Sequence, residues 1–255
     1  KTEQLIDTLD KVEQNRKECY IREFSIEHFH DSKVFETLIP KICKIFREEN
    51  EELTGFENEE ILAEYQIYKT PGYVYMKGNV QIYSAGKQAA DINAFPEGIA
   101  VAVGSEEDTP DICPDQTIDK VFTIENLTSF YRFKQEHSLV IYLGGYHNRS
   151  RRNLLMQIYQ KLPDAQYYHF GDLDAGGFYI LEHLKRKTGI PFQMFQMDIE
   201  TLKKYEDYAK PLTENDKKRL MQLEKMELPD EERKLITYML QKGIKLEQEC
   251  ISESQ

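Results

Sequence analysis

The chain has 255 residues, with 33 basic and 45 acidic side chains and a formal net charge of −12. That length can bury a sizeable core in one large domain or two small ones, and no stretch reaches the apolar length of a membrane span or has the form of a signal segment. Cys19, Cys43, Cys113 and Cys250 lie far apart with no CxxC pair, which argues against a zinc site and a disulfide framework and for a reduced, cytoplasmic protein.

The chain begins at Lys1 rather than Met and is expected to be the C-terminal part of something longer. Residues 2–16 read as a polar amphipathic helix. From Ser32 a second helix carries Val34, Phe35, Leu38, Ile39, Ile42, Ile45 and Phe46 at helical spacing and ends in the acidic run REENEELTG. A short helix around Glu59–Tyr65 follows, then TPGYVYMKGNVQIYSAG, where two β-rich runs flank Lys77-Gly78 and read as a hairpin. Helix, helix and hairpin is the order of a winged-helix module, so residues 1–84 are expected to form a small winged-helix-like region. Residues 85–115, mixed and rich in Gly, Asp and Pro with one strand at Gly98–Val103, read as a connecting segment.

From residue 116 the rhythm changes to strand and helix in alternation. KVFTIE is a strand, followed by a short helix through Phe130–Lys134; LVIYL is a strand, followed by the helix RRNLLMQIYQKL. AQYYHF is a strand, followed by the turn DLDAGG and the helix GFYILEHLKRKTG, and PFQMFQM is a fourth strand. Such repeats predict a parallel α/β sheet with helices on both faces over residues 116–255, with ligands bound at the carboxyl ends of its strands.

Two of those strand ends carry acids: Glu125 after the first, Asp172 and Asp174 after the third. Three clustered carboxylates repel one another unless a cation lies among them, and hard oxygen donors suit Mg²⁺, with Mn²⁺ able to substitute, rather than zinc. Gly176 and Gly177 open the following helix to a phosphate. An EF-hand loop beginning at Asp172 would need an acid at its twelfth position, where His183 stands, so that reading fails. A metal-diphosphate turn of glycosyltransferase type stays open. So does the plain alternative, in which Asp172 only caps the helix and Asp174 is solvated.

Charge is unevenly spread. Residues 1–115 carry 12 basic and 24 acidic side chains and residues 191–255 carry 11 and 14, whereas residues 116–190 carry 10 and 7. A locally basic segment around clustered carboxylates suits a polyanionic substrate. Within it, Arg149, Arg151 and Arg152 begin a helix and are candidate phosphate contacts, with a solvated helix start as the alternative. Lys185, Arg186 and Lys187 complement a helix C-terminus. His147 and His169 are candidates for proton transfer, and Glu247 and Glu249 for a second metal, each against a more ordinary structural reading.

The motifs FTIENLTSF, YLGG and HFGDLDAGGFYIL, in this order, resemble the Toprim domain of the JetD family, nuclease subunits of the bacterial Wadjet plasmid-defence system. The resemblance extends to FHDSKVFETLIPKI, YKTPGYVYMKG and KGIKLEQE, and so covers most of the chain. JetD is similar in turn to the A subunit of type IIB topoisomerases and to the meiotic double-strand-break protein. The resemblance implies a winged-helix region before a Toprim domain, and Mg²⁺ held by Glu125, Asp172 and Asp174. It also implies cleavage of double-stranded DNA, a homodimer, and partners in an SMC-like complex. The topoisomerases cut with a tyrosine, usually one of an adjacent pair shortly after an arginine. Here NRKECYIREFSIEHF offers Arg16 and a single, displaced Tyr20, so hydrolysis by metal-activated water is the favoured expectation. A catalytically silent DNA-binding subunit is the alternative from another class.

Overall fold

The structure, a computed structural model, describes residues 2–50, 53, 56–69, 72–103, 110–144 and 149–251. The chain divides into two compact units, one of Lys1–Tyr73, Ala102–Thr109 and Tyr146–Asn153, the other of Val74–Val101, Pro110–Gly145 and Leu154–Gln255.

The first unit is helical. Its elements are α1 (Thr2–Gln14), β1 (Cys19–Tyr20), α2 (Ile21–Phe29), α3 (Val34–Glu49), α4 (Asn58–Glu64) and β2 (Ile67–Tyr68), with β1 and β2 paired in parallel. The apolar stripe predicted from Val34 onward is α3, which buries Phe35, Ile42, Cys43 and Phe46. Helix α2 was not expected, because its nine residues bury only Ile21, Phe24 and Ser25 and show little periodicity. It is fixed by contacts to α3: the Phe24 and Phe35 rings lie 4.5 Å apart, and the Ser25 hydroxyl accepts from the Phe35 N–H at 3.0 Å.

The two β-rich runs around Lys77-Gly78 are strands, β3 (Gly72–Lys77) and β4 (Val80–Ser84), but they do not pair as a hairpin. β4 pairs with β5 (Lys87–Asp91) and β7 (Asp111–Pro114) in a three-stranded sheet. β3 and β6 (Ile99–Val103) instead end a six-stranded sheet. Lys77, whose polarity reads as a turn, is instead the last residue of β3 and pairs with Val140. It is buried, and its ammonium donates to the Phe130 carbonyl at 2.6 Å and lies 4.9 Å from the Phe130 ring. Residues 85–115 thus contain β5, β6 and β7.

The remaining sheet strands are β8 (Lys120–Ile124), β9 (Ser138–Tyr142), β10 (Gln166–Phe170) and β11 (Gln193–Met194). Between them run α5 (Leu127–Arg132), α6 (Arg149–Lys161) and α7 (Ala175–Thr188). The sheet order is β11-β10-β8-β9-β3-β6. The pairs β10–β11, β8–β10 and β8–β9 are parallel, and β3–β9 is antiparallel. This is a mixed α/β architecture with a mostly parallel sheet, as the alternating pattern predicts. Strand alternation sends Phe122, Ile124 and Phe170 into a core shared with Phe130 and Phe133 around α5. Tyr167 points to the opposite face, where Tyr159 of α6 meets its ring at 5.2 Å, so helices cover both faces. The chain continues through α8 (Ile199–Lys204), β12 (Lys210–Pro211), α9 (Glu214–Leu223), α10 (Asp230–Lys242) and β13 (Ile244–Lys245), which pairs with β12. Among the described residues no helix is long and apolar enough to cross a membrane.

Candidate functional site

The chain leaves β8 for β9 on one side and then returns past β8 to β10 on the other, so the sheet's topological switch point lies between β8 and β10. Crevices at such points, outside the carboxyl ends of the strands, are where open α/β sheets bind ligands. The two strands end level, with Ile124 opposite Phe170, and the Glu125 N–H donates to the Phe170 carbonyl at 3.0 Å. Glu125 and the Gly171-Asp172 turn therefore emerge side by side. A Glu125 carboxylate oxygen accepts from the Asp172 N–H at 3.3 Å. A Cβ at Gly171 would stand 2.7 Å from Glu125 Oε2 and 2.8 Å from His169 Nε2, so a larger residue would displace the Glu125 carboxylate.

Asp174 is the N-cap of α7, its Oδ1 accepting from the Gly177 N–H at 2.9 Å. Gly177 permits close packing of the turn on the helix, because a Cβ there would lie 2.2 Å from the Asp172 carbonyl. The capping role thus falls to Asp174, while Asp172 turns inward. Burial, opposed by the Gln248 N–H and reinforced by the charges of Asp174, Glu249 and Glu247, pushes the Asp172 carboxyl up to about 6.

An acid crowded by other carboxylates also favours a divalent cation, and an all-oxygen donor set suits Mg²⁺ or Mn²⁺. In that chemical sense Glu125, Asp172 and Asp174 fit such an ion. As the side chains stand, among the described residues no group of three His, Cys, Asp or Glu is arranged to hold a metal together.

The C-terminal segment supplies further neighbours, of which the sequence singled out only Glu247 and Glu249. Leu173, between the two aspartates, bonds Leu246 in both directions, N–H to carbonyl at 2.9 and 3.1 Å. Gln248 follows in a 3-10 turn (Gln248–Cys250), and its N–H donates to Asp172 Oδ1 at 2.7 Å. Glu247 and Glu249 flank it and are exposed, Glu247 just before that turn and Glu249 within it: Glu247 pairs with Lys210 at 2.5 Å, and Glu249 accepts from Asn126 Nδ2 at 2.5 Å. Asn126 itself caps α5, accepting from the Thr128 and Ser129 N–H groups. An Asn just before a helix is a readable cap signal, but nothing local marks Gln248.

The remaining candidates divide. Arg149 opens α6, and its side chain lies outside the described residues, as does all of His147. Arg151 is half-buried in the first turn of α6. Arg152 is buried in an ion pair with Glu64 of α4, Nη1 to Oε1 2.7 Å. His169 is fully buried with Nδ1 3.0 Å from the Thr123 hydroxyl, and burial pushes its pKa down to about 3, so it stays neutral. Lys185 at the end of α7 pairs with Glu182 and Glu232. Tyr20 precedes α2, where its backbone N–H donates to Glu23 Oε2 at 2.8 Å.

Fold and site together define a mixed α/β protein with an acidic crevice at the switch point of a mostly parallel sheet. Residues 108–255, more than half of the chain, match the family described as Wadjet protein JetD, C-terminal, and the chain belongs to that family. It is 29% identical to the Wadjet protein JetD of Bacillus cereus (strain Q1) over 98% of this chain and 61% of that protein. The chain therefore spans about three-fifths of the length of the relative it matches.

Proposed function

We propose that the second unit is a Toprim-type, Mg²⁺-dependent endonuclease centre that cuts double-stranded plasmid DNA within an SMC-like Wadjet complex. The observation that supports this reading best is the pairing of Glu125 with the Asp172 turn at the switch point, with Asp172 raised by burial and by neighbouring acids. Glu125, Asp172 and Asp174 would hold the cation, with Mn²⁺ able to replace Mg²⁺. When bound, the ion supplies positive charge for the scissile phosphate and lowers the pKa of an attacking water.

The chain's own groups set the conditions. Asp174, tied to the start of α7, orients the turn, and Asp172 must give up its proton to ligate. Cation affinity should therefore weaken as pH falls below about 6, where Asp172 keeps that proton. Arg149 and Arg151 are proposed phosphate contacts, and Arg152 pairs with Glu64. A net charge of −12 suits a protein that holds naked DNA poorly until partner subunits present it. A homodimer would offer one centre to each strand.

The test is cleavage of a plasmid by the full complex in Mg²⁺, comparing the parent with Glu125→Gln, Asp172→Asn and Asp174→Asn. Asn is a good helix N-cap, so Asp174→Asn should fold. Loss of cleavage in each folded variant supports the reading, and undiminished cleavage by Asp174→Asn overturns it.

A further inference from the structure

The two strand ends that carry the acids are joined by one side chain from far along the sequence. Gln248 is fully buried, and its carboxamide is used at both ends. Oε1 accepts from the Asn126 N–H at 2.8 Å, immediately after Glu125, and Nε2 donates to the Phe170 carbonyl at 2.9 Å, two residues before Asp172. That same carbonyl accepts the Glu125 N–H. The Gln248 backbone adds the bond to Asp172 Oδ1. One residue thus touches the backbone on both sides of the crevice and one of the acids directly.

We propose that Gln248 is the positioning residue of the acidic centre, fixing Glu125 and Asp172 relative to each other and so setting its affinity for a divalent cation. This rests on the metal reading given above. The residue type follows from the geometry. The position needs a donor towards Phe170 and an acceptor towards Asn126 on one short planar group, which a carboxamide provides. A carboxylate lacks the donor and would bury another acid beside Asp172; an apolar side chain would leave the Asn126 N–H unsatisfied and the Phe170 carbonyl with the Glu125 N–H alone. Register is set two residues earlier by the reciprocal Leu173–Leu246 bonds, which hold the C-terminal segment against the DLD turn. The flanking acids have separate partners, Lys210 for Glu247 and Asn126 Nδ2 for Glu249.

The test measures free Mn²⁺ by electron paramagnetic resonance during titration of the full chain, at a temperature well below each variant's melting midpoint. Asp172→Asn reports on the metal reading and Gln248→Met on the positioning role. The expected result is loss of binding in Asp172→Asn and a fall of about 10–100-fold in affinity for Gln248→Met, the range for groups that orient metal ligands. A purely structural role would lower the melting temperature of Gln248→Met and leave its Mn²⁺ affinity unchanged. That outcome, with binding lost in Asp172→Asn, overturns the positioning role and leaves the metal reading standing. Undiminished binding in Asp172→Asn overturns both. Should Gln248→Met fail to fold, Gln248→Asn, one methylene too short to span both strand ends, takes its place with the same outcomes.

Discussion

Acids gather at both ends of α7 in opposite circumstances. At the C-terminal end the Lys185 ammonium binds both Glu182, at 2.8 Å, and the buried Glu232; burial raises the Glu232 carboxyl, and the ammonium works against that rise. At the N-terminal end Asp172 and Asp174 accept from the backbone N–H groups of Gln248 and Gly177, and among the described residues no basic side chain bonds either. The helix dipole favours both arrangements, but it neutralises neither set of acids. Among the described residues a lysine bonds the carboxylates at one end, and backbone N–H groups bond the two aspartates at the other. The lysine-bound cluster is architecture, whereas the other is the cation site of the proposed function.

The largest expected effect comes from breaking the lysine-bound cluster. Lys185→Met leaves the half-buried Glu182 and the buried Glu232 without their cation and should destabilise the protein by about 3–5 kcal/mol, read as a lower denaturation midpoint. Its Mn²⁺ affinity, measured while folded, should match the parent; an equal loss of both would erase the distinction between the two ends.

At the other end the sign reverses. The folded-state pKa of Asp172, about 6, lies above the ordinary carboxylate value of about 3.9. A raised pKa favours the folded chain fully below about pH 4, and the contribution is lost as pH rises through 6. Asp172→Asn has no such loss. Without metal it should match the parent near pH 4 and exceed it above pH 7 by roughly 1–3 kcal/mol. Saturating Mg²⁺ should stabilise only the parent. A variant less stable than the parent at pH 7 without metal would show that Asp172 is structural.

Smaller effects separate the arginines. Arg151→Gln should lower the slope of log K for DNA against log salt by about one unit, as one lost phosphate contact does. Arg152→Gln should instead reduce stability, because it leaves Glu64 in a half-buried position without its guanidinium. The smallest effect is expected of Tyr20→Phe, which keeps the backbone bond to Glu23. Cleavage should persist with no covalent protein–DNA species on a denaturing gel; an adduct in the parent that disappears in Tyr20→Phe would make the phenol the nucleophile.

What the sequence disclosed was local. The β8, β10 and α7 segments follow from period and propensity, and with them the level of Glu125 and the DLD turn on one sheet edge. What it hid depends on partners distant in the chain. Lys77 looks like a turn residue until Phe130 receives its ammonium, and Arg152 looks like a surface cation until Glu64 meets it. Gln248 has no local mark, since its bonds run to Asn126, Phe170 and Asp172. Asp174 rather than Asp172 caps α7, a choice made by backbone dihedrals that composition does not encode.

The central claim is that Glu125 and Asp172 hold a divalent cation between the ends of β8 and β10. Crystals of the full chain soaked in MnCl₂ and measured at the manganese absorption edge test it directly. The account predicts an anomalous peak within coordination distance of the Glu125 and Asp172 carboxylates. A peak confined to other residues, or none at millimolar Mn²⁺, would contradict it.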